Sequence, residues 1–162
     1  MYRRILLAYD GSREGALALR EGALLAKACC SEIVLLSVVP ESAGVVTVEA
    51  IQGGVVSTLT ESYGEFLQRA MNRLSALGFE HVTGKLVVGE PAPTIGAVAE
   101  AMQADLVVVG HHRDGFFTRW WSGSTDAYLS DHVPCSLLLC RNPMSDEQFE
   151  AALRENAAAE PA

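Results

Sequence analysis

The residues with the most chemical content lie in one stretch, Gly110-His-His-Arg-Asp-Gly115-Phe-Phe-Thr-Arg-Trp120-Trp-Ser-Gly-Ser124. It begins where an apolar run, Asp105-Leu-Val-Val-Val109, ends, and it finishes where a short helix is expected to start. Backbone N–H groups at Gly123, Ser124 and Thr125, the positive end of the helix dipole and the Ser124 hydroxyl together suit a phosphate. Glycines at 110 and 123 leave the backbone bare enough for a ligand to come close. Arg113 adds a guanidinium that can hold a phosphate through two parallel hydrogen bonds. A plain glycine turn with a serine at a helix start has the same residues, and spacing alone does not choose between the two.

Elsewhere the chemistry is thinner. Asp10-Gly11-Ser12 follows a short apolar run, Arg4 to Tyr9. A carboxylate at a strand end can accept from a ligand hydroxyl, but Asp-Gly-Ser is also a good turn and helix start by itself. His111 and His112 carry metal-ligating rings. Neighbours on extended backbone point to opposite faces, however, and no third ligand has suitable spacing. Phe116, Phe117, Trp120 and Trp121 beside Arg113 and Arg119 have the residue types of a base-stacking platform. In a chain of formal charge −8, a lid over the pocket or a dimer contact suits them better. No G-x-S-x-G, C-x-x-C or H-E-x-x-H occurs, so the familiar hydrolase, redox and zinc-protease patterns are missing. Gly78 to Leu86 imitates a phosphate loop but has one spacer too many, no hydroxyl after Lys85, and runs from helix to strand. No residue is assigned to catalysis.

The elements that must position these residues follow from periodicity. Short continuous apolar runs at Arg4–Tyr9, Glu32–Val39, Val82–Val88, Asp105–Val109 and Cys135–Cys140 predict five strands. Between them, residues 13–30 predict a helix with Leu17, Leu24 and Ala28 on one stripe. Leu59, Tyr63, Phe66, Leu67, Ala70, Met71, Leu74 and Leu77 recur in steps of three and four, the strongest helix signal in the chain, which Gly78 caps. Pro91 opens a third helix and Gly123-Ser124 a fourth. Residues 41–56, with Gly44, Gly53 and Gly54 among β-branched neighbours, read as a loop. Strands alternating with helices, and apolar throughout, predict an open parallel sheet with helices on both faces. Such sheets take ligands beyond the carboxyl ends of their strands, where the strand order reverses.

Length and composition bound the rest. The 162 residues suit one domain, and 49% hydrophobic with 20% charged residues is ordinary globular usage. The division expected is an α/β domain over residues 1–141 and an acidic C-terminal tail over 142–162. The tail holds five acids and one Arg, and its Ser145-Asp-Glu-Gln148 has the form of a capping box for one short helix. The acidic balance excludes a basic field for nucleic acid or anionic lipid. No apolar run is long enough for a membrane span, and the N-terminal apolar run is too short for a signal peptide. The four cysteines stand in apolar surroundings and read as buried reduced thiols, which points to the cytoplasm.

Taken in order, Ile5-Leu-Leu-Ala-Tyr-Asp10-Gly-Ser12, Val34-Leu-Leu-Ser-Val38, Gly89-Glu-Pro-Ala92, Ala104-Asp-Leu-Val-Val-Val-Gly110 and the Gly110–Ser124 loop resemble the universal stress protein family. The resemblance covers residues 3–141. It implies a five-stranded parallel sheet in the order 3-2-1-4-5, a homodimer through the last strand, and a crevice between strands 1 and 4 for ATP or a related adenine nucleotide, with Mg²⁺ as the companion of a triphosphate. Carried over residue by residue, it places Asp10 near adenine and ribose, the Val38 backbone against adenine, and Gly110, His112, Gly123, Ser124 and Thr125 on ribose and phosphates. Nucleotide-binding members carry glycine where this chain has Arg113. A nucleotide-free, dimeric interaction module is therefore the alternative that the resemblance leaves open.

Overall fold

The computed structural model describes residues 1–40, 55–111 and 125–158, the side chains of 55–58, 125–128 and 157–158 aside. The elements alternate throughout: β1 (Arg4–Ala8), α1 (Arg13–Cys29), β2 (Glu32–Val39), α2 (Val55–Ala76), β3 (Val82–Val88), α3 (Pro91–Ala101), β4 (Leu106–Gly110), α4 (Thr125–His132), β5 (Ser136–Cys140) and α5 (Asp146–Ala158). All four strand pairings are parallel, and the sheet order is β3-β2-β1-β4-β5. β1 is central because its middle residues have no polar face: Ile5, Leu6 and Leu7 are fully buried. The sheet edges differ from the expectation of apolar burial throughout. On β3, Thr83 and Lys85 are exposed and Leu86 and Val88 only partly covered, since an edge strand has a neighbour on one side alone.

Alternate residues of each strand feed two cores. One face packs Ile5, Leu7, Leu35 and Val108 against α1, α2 and α5. The other packs Leu6, Leu36, Val107 and Val109 against Ile95 and Ala99 of α3 and Leu129 of α4.

α1 buries Gly15, Ala18, Leu19, Gly22, Ala23 and Ala26, not the Leu17–Leu24–Ala28 stripe that periodicity suggests. Small side chains let the helix backbone lie close on the sheet. A Cβ on Gly22 would stand 2.3 Å from Leu7 Cδ2. Leu19 alone of the α1 leucines is buried with them, while Leu24 and Leu25 pack against this core only partly buried.

Residues past 141 join this core. Ser145 Oγ accepts from the Gln148 N–H (3.2 Å) and Gln148 Oε1 from the Ser145 N–H (2.8 Å), closing the capping box. Phe149 and Leu153 are buried in the α1 face. Asp146 Oδ1 lies 2.6 Å from both Arg20 Nη2 and Arg73 Nη2, and Arg20 Nη1 donates to the Met144 carbonyl (2.7 Å). One carboxylate thus ties α5 to α1 and α2.

The cysteines correct a further expectation. All four are free thiols, but only Cys140 is buried. Cys30 is exposed because it occupies the left-handed cap of α1 (φ 53°), where the chain leaves the helix into solvent.

Candidate functional site

β1 stops earlier than its neighbours, and this shapes the carboxyl edge of the sheet. Ala8 pairs with Leu36, while β2 continues to pair with β3 as far as Val39 with Val88. On the other side Leu7 pairs with Val108, while β4 continues alongside β5 to Gly110 with Cys140. The result is a notch above β1, at the point where strand order reverses.

The direction of the backbone groups around the notch follows from the ladder. In a parallel pair a residue's N–H and C=O point to one neighbour, and the next residue's point to the other. The Leu36 carbonyl accepts from the Tyr9 N–H (2.8 Å) and the Val39 carbonyl from the Gly89 N–H (3.0 Å). Val38, two residues past Leu36, therefore turns its N–H and C=O toward the β1 side, beyond the last β1–β2 pair. The His111 N–H donates to the Cys140 carbonyl (3.0 Å) on β5, so Gly110 turns its own groups toward the β1 side. Val38 and Gly110 thus direct backbone donors and acceptors toward the same gap from opposite walls. The Val38 side chain is only 2% exposed and anchors that wall in the core.

Asp10 lies at the floor of the gap, on the turn that carries β1 into α1. Its Oδ1 accepts from the Ser12 N–H (3.0 Å) and from the Ser12 hydroxyl. Ser12 Oγ in turn accepts from the Gly15 N–H (2.9 Å) as the N-cap of α1. Beneath the turn, the fully buried Ser37 donates to the Tyr9 carbonyl (2.6 Å), where a ladder bond from Val38 would otherwise fall. The turn is thereby held by its own Asp10, by Ser37 of β2 and by the Ser12 cap of α1.

Gly110 has a further role that its place in the loop did not reveal. A Cβ there would stand 2.4 Å from the Glu14 carbonyl oxygen, 2.5 Å from its carbon and 3.0 Å from the Gly15 nitrogen. The missing side chain makes room for the first turn of α1. That is a reason for the glycine in its own right, beside the ligand access read from the sequence.

Thr125 is the first residue of α4. The helix leads back to the start of β5, so its N-terminal end lies toward the carboxyl edge of the sheet. His112, Arg113, Gly123 and Ser124, with the aromatic cluster at 116–121, lie outside the described residues, as does the loop expected over most of 41–56. Among the described residues no group of His, Cys, Asp and Glu could hold a metal ion, and no helix is long and apolar enough to cross a membrane.

Two residues near Asp10 escaped the sequence reading. Tyr63 of α2 is 4% exposed. Burial first, then the Asp10 carboxylate, raises its phenol pKa well above the ordinary value. Phe66, one turn on, lies against Gly11. Their helical spacing marked them as core, and nothing in the sequence says which loop a helix face will meet. Ser37 was visible in principle, as the one polar residue in the apolar run over residues 33–39.

Comparison with known proteins supplies an independent line. The model of the universal stress protein family matches residues 1–141. The chain is 26% identical over 153 residues to the universal stress protein A homolog of Haemophilus ducreyi (strain 35000HP / ATCC 700724), covering 91% of this chain and 100% of that one. Among solved structures it is similar to the universal stress protein UspA from Lactobacillus plantarum, with a TM-score of 0.74 and 23% identity over 86% of this chain and 98% of that one. It is also similar to a universal stress protein crystallised in complex with cAMP, with a TM-score of 0.63 and 20% identity over 86% and 97% of the two chains. The two structural likenesses show a shared fold.

Proposed function

The chain belongs to the universal stress protein family, and on that premise we propose that it binds an adenine nucleotide, ATP first among them, in the notch above β1. The observation that carries the reading is the pair of backbone walls: Val38 and Gly110 both turn N–H and C=O groups into a gap that β1 leaves vacant. A flat heteroaromatic base needs such a slot, with backbone groups spaced to meet its ring nitrogens and apolar side chains behind them. Asp10 supplies an acceptor for a ribose hydroxyl. Its negative charge disfavours phosphate nearby, so the phosphates run toward the start of α4. Gly123 and Ser124 precede the start of α4 at Thr125 in the chain and would there offer amides and a hydroxyl, and Thr125 a further amide. His112 and Arg113, next after His111 in sequence, would be further phosphate ligands. Mg²⁺ would accompany a triphosphate, held mainly by phosphate oxygens and water. The cAMP complex of a protein with this fold supports an adenine nucleotide as the ligand class. In this reading the protein is regulatory, and two copies pair along β5, where Leu139 of the edge strand is partly exposed.

The test is a chemical-shift footprint. Titration of nucleotide-stripped, isotope-labelled protein with ATP moves the amides of Val38, Gly110, Ser124 and Thr125 together, and Asp10→Asn and Ser124→Ala each weaken the response. Shifts confined to the protein's surface elsewhere would refute the site. One observation favours a second reading, a nucleotide-free dimeric interaction module: Arg113 stands where nucleotide-binding members carry glycine. An Arg113→Gly variant that gains ATP binding the parent lacks would establish that alternative.

A further inference from the structure

The turn that carries Asp10 is gripped from outside the strand and helix it joins. Gly11 has a left-handed backbone (φ +78°), and a Cβ built on it would stand 2.5 Å from Cδ2, 2.8 Å from Cγ and 3.0 Å from Cε2 of Phe66. The ring of this α2 residue therefore rests directly on the Gly11 backbone. It is itself held in place: Tyr63 meets it at 6.3 Å between centroids with planes tilted by 59°, and the Arg69 guanidinium carbon lies 5.0 Å from its centroid. Residues 63, 66 and 69 lie along one row of α2. Asp10, Gly11 and Ser12 also move as a unit, because Asp10 Oδ1 accepts from both the Ser12 N–H and its hydroxyl. Whatever fixes Gly11 fixes the carboxylate.

We propose that Phe66, backed by Tyr63, is the positioning residue of the Asp10 turn, setting from α2 where the carboxylate stands in the nucleotide crevice. Its bearing on ligand binding rests on the nucleotide reading; its hold on the turn does not. Leucine at 66 fills part of the volume but has no flat face to lie on Gly11, whereas tyrosine keeps the face and points its hydroxyl away from the ring contact.

Two measurements on the full chain test this. Hydrogen exchange of the Ser12 N–H, which donates to Asp10, reports the turn without any ligand. Phe66→Leu speeds it by about tenfold, Phe66→Tyr restores the parent rate, and Leu74→Val, which trims the α2 core two turns away, leaves it unchanged. Affinity for ATP also falls in Phe66→Leu, by the loss of the correctly placed carboxylate rather than by the exchange factor, and recovers in Phe66→Tyr. Unchanged exchange in Phe66→Leu overturns the proposal whatever happens to affinity. Equal acceleration by Leu74→Val also overturns it, by making the effect one of general stability. If the parent binds no nucleotide while exchange responds as described, the nucleotide reading fails and the hold on the turn stands.

Discussion

Replacing Gly110 with alanine separates two reasons for a glycine at the end of β4. If the glycine serves a ligand, the unliganded protein tolerates a methyl group. The structure says otherwise, because the Cβ would stand 2.4 Å from the Glu14 carbonyl oxygen where ordinary contact begins at 3.4 Å. Strand and helix start must therefore part by 3.4 − 2.4, about 1 Å. Neither side yields easily: Gly110 is paired with Cys140 on β5, and the Glu14 carbonyl belongs to the capped first turn of α1. Overpacking against movable side chains costs about 1–3 kcal/mol, and an obstacle of fixed backbone puts this case near 3 kcal/mol. For a chain of this size, that lowers the melting temperature by about 6–12 °C and the urea midpoint by roughly 1–2 M. Urea unfolding of nucleotide-stripped parent and Gly110→Ala, followed by far-ultraviolet circular dichroism, gives the number. A variant within about 0.5 kcal/mol of the parent would refute the reasoning and return the glycine to the ligand.

Other outcomes follow from the same contacts. Phe149→Ala removes the largest side chain that α5 buries and is expected to cost about 3–4 kcal/mol, read from urea unfolding. Asp146 has its carboxyl pKa lowered first by the Arg73 hydrogen bond, which desolvation opposes and the charges of Arg20 and Arg73 reinforce. Its folded pKa thus lies below the unfolded one, so its contribution is present above the unfolded value and lost as pH falls through the folded value. Asp146→Asn is accordingly expected to destabilise at pH 7 by about 1 kcal/mol, the carboxylate being half exposed, and the gap to the parent closes in acid. A gap that stays constant from neutral to acid pH would contradict the clamp. With an aromatic disulfide reagent at pH 8, the exposed Cys30 reacts at once. Cys140, 1% exposed and with its thiol pKa raised by burial and by Glu21, reacts only after denaturation.

The sheet was legible in the sequence because each strand is a short apolar run closed by a turn residue, a pattern that local chemistry writes plainly. Strand order came from the family resemblance, since periodicity carries no information about neighbours. What escaped depends on distance between backbones. α1 reads as a leucine-faced helix, yet it buries Gly15, Ala18, Gly22 and Ala26, because close approach to β1 and β4 selects for small side chains rather than apolar ones. Gly110 was read as ligand access for the same reason: a glycine marks that something comes near without saying what. Val55 and Val56 disguised the start of α2 as loop through their β-branching, although the helix begins at Val55. Of the site, Asp10 and Gly110 were candidates from their own chemistry and Val38 from the resemblance, while Ser37, Tyr63 and Phe66 were not, since their relation to the Asp10 turn exists only once the chain has folded. The tail was read from its charge and its capping box, as one short helix outside the domain. Phe149 and Leu153, spaced four apart, were the signal that it also carries a packing face.

The central claim is that the notch above β1 takes an adenine nucleotide. Equilibrium dialysis of labelled ATP against nucleotide-stripped protein, with and without Mg²⁺, measures that directly. Saturable binding in the micromolar range is expected, with about one nucleotide per chain, abolished by excess unlabelled ATP and weakened by Asp10→Asn. No binding at millimolar ATP would contradict it and leave the crevice to Arg113 and the protein to partners of another kind.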